Sequence, residues 1–139
     1  MTPDEPVPAP GMPAVIDEIK QGEIYWVYAD DLDIQGSEQK KSRPYVIVSR
    51  DAINRIGNNV VGIPLSSKVH KANSHRILIP LAHMVRNPAC TRAMAESVAL
   101  VDHIRVLDPT RLERPRMGRL SDTAMGGIEL GLSFLFDIR

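Results

Sequence analysis

Between Pro44 and Leu81 the chain carries three short apolar runs rich in β-branched residues: PYVIVSR (Pro44–Arg50), NVVGIPLSS (Asn59–Ser67) and SHRILIPL (Ser74–Leu81). Runs of this length and composition are strands, and their close spacing favours antiparallel pairing in a sheet or small barrel. The first two are separated by DAINRIGN, a turn or short helix, and the last two by the basic loop KVHKAN. Upstream, GEIYWVYAD (Gly22–Asp30) has the aromatic and β-branched content of a further strand. It runs into a long polar connection, DDLDIQGSEQKKS, of the length that is functional or mobile in compact domains.

Downstream, HMVRNPACTRAM reads as a loop, and ESVALVDHIRVLD (Glu96–Asp108) as one bent strand or two short ones. DPTRLERPRMGR reads as a solvated connection. Ser121 then opens a helix, SDTAMGGIELGLSFLF, with serine as N-cap and Asp122 in the first turn. Gly126, Gly127 and Gly131 weaken that helix intrinsically, which predicts close packing against another element. The expected fold is a mainly β domain closed by a C-terminal α-helix.

The length of 139 residues suits one domain. Residues 1–15, MTPDEPVPAPGMPAV, form a Pro-rich tail with little to bury and are expected to be disordered, leaving 16–139 as the folded unit. The tail lacks the basic residues and apolar stretch of a secretory signal. No apolar run approaches the roughly 18 residues of a membrane span. Cys90 is the single cysteine, so no intrachain disulfide can form. These features predict a soluble cytoplasmic protein without membrane contact.

A net charge of zero conceals an uneven distribution. Residues 1–34 hold eight acidic side chains against Lys20 alone, whereas residues 35–76 hold eight basic ones against Glu38 and Asp51. Such a segment is either a solvated surface or a polyanion site. Within it, Arg43 stands at a seam between the polar GSEQKKS and the apolar strand that follows, held extended by Pro44. It would pair with Glu38 as a surface residue, or present its fork of donors to a phosphate. In the run Asn59–Ser67, alternation puts Val61, Ile63 and Leu65 toward the core and Gly62, Pro64 and Ser66 on the opposite, displayed face. Gly62 and Pro64 mark a bulge or edge strand, or leave backbone open to a ligand.

The remaining reactive residues carry less. No spacing of His70, His75, His83 and His103 matches a zinc motif. His75 shares a strand face with Ile77 and Ile79 and reads as partly buried, while His70 lies in the basic loop. Cys90 reads as a buried small residue, and Trp26 as core or dimer contact ahead of a base-stacking platform. No glycine-rich phosphate loop follows a strand, so no cofactor is expected.

The ordered set GEIYWV, GSEQKKSRPYVIVSRD, VVGIPLSSK, SHRILI, SVALVDHIRVLDPTRL and the terminal LSD, over residues 20 to 136, resembles the MazF/PemK family of endoribonuclease toxins. The resemblance implies an SH3-like β-barrel homodimer that cleaves single-stranded RNA without a metal. It also implies inhibition by a cognate antitoxin whose disordered tail fills the groove. The family's catalytic arginine falls on Arg43, its catalytic hydroxyl on Ser66, and a glutamate implicated in some members on Glu38. RNA phosphates would be held by Lys40, Lys41, Ser67, Lys68, His70, Lys71 and Arg76.

Two departures stand out: serine replaces the family's usual threonine at Ser66, and its E-Q-I-R reads Asp102-His103-Ile104-Arg105. The rival expectations are a toxin that grips DNA gyrase by protein contact and an inactive relative that only binds RNA or antitoxin.

Overall fold

The computed structural model describes residues 18–28 and 42–138. The aromatic and apolar runs form β1 (Glu23–Val27), β2 (Arg43–Ile47), β3 (Val60–Ser66) and β4 (Arg76–Ile79). They are joined by β5 (Met84–Arg86), β6 (Ser97–Leu100), β7 (Arg105–Leu107) and β8 (Gly118–Leu120). Every pair is antiparallel, in the spatial order β4-β6-β3-β2-β1-β8-β5, with β7 also pairing with β3. The result is a curled half-barrel, mainly β as expected. α1 (Asp51–Ile56) fills the β2–β3 connection, and α2 (Asp122–Phe136) packs on β4, β8 and the turn at Val101–His103.

Glu96–Asp108 resolves into two short strands separated by that turn. β5 and β8 lie in segments expected to be connections. At three residues each they are too short to display alternation, and they form because they pair with each other and β8 pairs with β1.

The central strands bury residues on both faces of the sheet. Ile24, Val46, Ile63 and Leu65 join Ile79, Ala99, Met117, Ala124 and Ile128 in one cluster. Tyr25, Val27, Tyr45, Ile47 and Val60 join Leu107 and Leu112 in another. This corrects the one-sided reading of β3. Gly62 and Pro64 are buried, and a Cβ at Gly62 would sit 2.8 Å from Leu107 Cδ1. Nor is β3 an edge strand, since it lies between β2 and the β6/β7 pair. It pairs with β7 through Val60–Gly62 and with β6 through Leu65–Ser66. Pro64, which has no N–H to give a ladder, falls in the gap between the two.

Ser121 caps α2 as expected, its Oγ accepting from the Ala124 N–H at 3.2 Å. A Cβ at Gly131 would meet Ile77 Cγ1 at 3.1 Å and one at Gly127 would meet Ile77 Cγ2 at 3.3 Å, so these two glycines let α2 approach β4 closely. Gly126 has nothing within 4 Å and plays no such part.

Candidate active site

A groove of about 620 Å³ opens over the end of the sheet where β2 begins and β3 ends. Its floor is apolar, built from Ile24, Leu65, Met84 and Met117, and its polar rim includes Ser42, Arg43, Ser66, Ser67, Lys68 and Lys71. Adjacent strands bring the two central groups together. β2 pairs with β3 at Tyr45↔Pro64 and Val46↔Ile63, and the same antiparallel register carried two residues on brings Arg43 level with Ser66.

Arg43 is the least satisfied polar group there. Its Nε is fully buried and has no hydrogen-bond partner among the described residues. Burial pushes the guanidinium below its ordinary pKa, the nearby Tyr45 only partly opposing this. A desolvated cation with an unused donor gains more from an incoming anion than a hydrated one does.

Ser66 corrects the expectation of a displayed side chain: it is only 7% exposed. It nonetheless lines the groove. Its Oγ accepts from the backbone N–H of Lys68 at 3.2 Å. With that lone pair engaged, the hydroxyl proton is directed elsewhere and is available to donate.

Lys68, Lys71 and Ser67 line the groove as the sequence suggested. His70, exposed on the turn at Val69–Lys71, is not among the lining residues. Arg76 does not reach the groove either. Its Nε and Nη2 donate to the two Asp102 carboxylate oxygens at 3.0 and 2.8 Å, a bidentate pair that holds the carboxyl below its usual range. His103 sits 3.3 Å from the same guanidinium. Burial pushes its imidazole down; Asp102 opposes this, and Arg76, Arg43 and Lys71 add to it. Glu38, Lys40 and Lys41 lie outside the described residues. Among those described, no group of three His, Cys, Asp or Glu could hold a metal ion.

Trp26, Met94 and Met117 are among the groove residues that the sequence did not single out as functional. Trp26 packs on the core cluster, as expected, and lines the groove as well. Its position opposite Pro44 across β1 and β2 places it beside Arg43, a neighbourhood that only the pairing register reveals.

Comparison with known proteins agrees with this architecture. A curated relative, endoribonuclease MazF of Staphylococcus saprophyticus, is 32% identical over 77% of this chain and 82% of its own length. The crystal structure of MazF from Deinococcus radiodurans superimposes with a TM-score of 0.67, at 20% identity, over 88% of this chain and all of that one. A MazE–MazF complex from the same organism gives 0.63 at 18% identity, over 89% of this chain and 100% of that one. Residues 20–136 match the family described as PemK-like, MazF-like toxin of type II toxin–antitoxin systems, and the chain belongs to that family.

Proposed function

We propose that this chain is the toxin of a toxin–antitoxin pair and acts as an endoribonuclease, cleaving single-stranded RNA at particular sequences by transesterification without a metal ion. The observation that carries this reading is the buried Arg43 Nε, without a partner among the described residues, at a groove shared with Ser66. A phosphodiester is the anion that fits a fixed fork of donors beside a hydroxyl.

In the reaction, the RNA 2′-hydroxyl attacks the adjacent phosphorus, and the bond to the 5′ oxygen breaks. The products are a 2′,3′-cyclic phosphate and a 5′-hydroxyl. Negative charge grows on the equatorial oxygens, where Arg43 and the Ser66 hydroxyl donate. Glu38 takes the 2′-hydroxyl proton. The departing 5′ oxygen takes a proton from water while Arg43 donates a hydrogen bond to it, and it leaves as the 5′-hydroxyl. Lys68 and Lys71 hold flanking phosphates. DNA, lacking the 2′-hydroxyl, is not a substrate.

The curated relative named as an endoribonuclease supports the activity. The MazE–MazF complex supports a cognate antitoxin as partner. By the same family likeness we assign a homodimeric state, a disordered antitoxin tail lying in the groove, and a cytoplasmic setting.

Incubating the protein with a long single-stranded RNA in excess EDTA tests this directly. Fragments should carry cyclic phosphate and 5′-hydroxyl ends, and Ser66→Ala should lower kcat by roughly 10- to 100-fold, the effect of removing one neutral donor to the transition state. Intact RNA would point to a binding module that grips RNA or protein. Cleavage abolished by EDTA would refute the metal-free mechanism.

A further inference from the structure

Trp26 is the sole tryptophan of the chain, and it is bound into a chain of contacts behind the groove. The Arg92 guanidinium lies over its ring, 4.1 Å from the centroid. That guanidinium is held in turn by Glu113: Nε donates to Oε2, and Nη2 donates to Oε1 at 2.9 Å. The Tyr28 hydroxyl donates to Oε1 as well. The Glu113 N–H closes the circuit by donating to the Trp26 carbonyl at 2.8 Å. Arg92 first, and Tyr28 second, keep the Glu113 carboxyl down at about 2, so the pair persists across the physiological range.

Arg92 matters to the groove because of the segment that carries it. Residues 87–96 contain no strand or helix. Even so, Ala93, Met94 and Ala95 line the groove together with Trp26, Arg43 and Pro44. The start of this segment is tied by the Asn87 N–H to the Met117 carbonyl at 2.9 Å and by Arg86 to the Cys90 carbonyl at 3.2 Å. Its end is tied by the Ser97 hydroxyl to the Ala95 carbonyl at 2.8 Å. Arg92 is the fastening between these ends. With its fork engaged by a carboxylate, it is not poised to bind phosphate. Its work is to hold the wall against the indole.

We propose that Arg92 is a positioning residue: its stack on Trp26 and its fork onto Glu113 set the gap between the indole and the 93–95 wall. That gap selects the nucleobase admitted beside the phosphate at Arg43. A slot bounded by an indole and small or flexible apolar side chains suits the flat face of a base. The choice of base rests on the RNA-cleavage reading; the gap does not.

Because Trp26 is the only tryptophan, its fluorescence reads the gap without RNA. In Arg92→Ala, the acrylamide quenching constant should rise about twofold, with KM for RNA up roughly tenfold, kcat within about twofold, and new cut positions on a long RNA. Arg92→Lys, which keeps the charge but not the fork, should fall between. If Arg92→Ala fails to fold, Glu113→Gln removes the fork and leaves Arg92 in place, with the same expectations. Unchanged quenching in a folded variant overturns the proposal. Raised quenching with an unaltered cut pattern overturns its selective part. If the wild type cuts no RNA, the cleavage reading fails, and the quenching comparison still decides whether Arg92 sets the gap.

Discussion

On the proposed reading, Arg43→Ala should lower kcat by about 100- to 1,000-fold, the range for loss of a donor to a charged transition state, while leaving the fold intact. The thermal midpoint should hardly move. Both expectations come from one feature. Arg43 buries Nε without a partner among the described residues, so its burial carries a desolvation cost that Tyr45 only partly offsets. Removing it relieves that cost while deleting the donors that the proposed phosphorane would need. Arg43→Lys keeps a charge but not the planar fork, and should recover only a small part of the rate. Single-turnover cleavage of a defined RNA, beside a melting curve, measures both sides. A variant that keeps its rate would move the chemistry away from Arg43.

The second large effect is on stability. Gly118 lies in β8, opposite Arg86 in β5 and Ile24 in β1. A Cβ there would fall 2.3 Å from the Val85 carbonyl oxygen and 3.2 Å from Arg86 Cα. Both obstacles are backbone, fixed by the ladder that defines this end of the sheet, so no side chain can swing aside. Gly118→Ala should cost about 3 kcal/mol through overpacking, lowering the thermal midpoint by roughly 10 °C. Gly126→Ala is the control. With open space around it and a helical backbone, it should gain about 0.5–1 kcal/mol from helix propensity. Urea unfolding of the two variants should therefore move in opposite directions; equal shifts would contradict the packing described for β8.

The strands that carry Arg43 and Ser66 were legible because their apolar runs are long enough to declare a period, and Ser121 was legible because capping is local chemistry. What escaped had non-local causes. β5 and β8 exist through pairing, which three residues cannot announce. Ser66 was expected on an open face because alternation says which residues share a side but not how far neighbouring elements cover that side. Arg76 joined the phosphate candidates by its neighbours in sequence, whereas its position is set by Asp102, beyond the next strand. Trp26 was recognised as a core residue, but its place in the groove wall depends on the β1–β2 register and on a segment without regular structure.

The break in β3 at Pro64 has a consequence for control. Because the strand changes partners there, the stretch bearing Ser66 is anchored by β6, the stretch before it by β7, and its other edge by β2, which bears Arg43. Pulling β3 away from β2 would therefore disturb several ladders in the middle of the sheet, where opening costs most. On the proposed reading, restraint would then come from whatever occupies the groove, and would last only as long as that occupant stays.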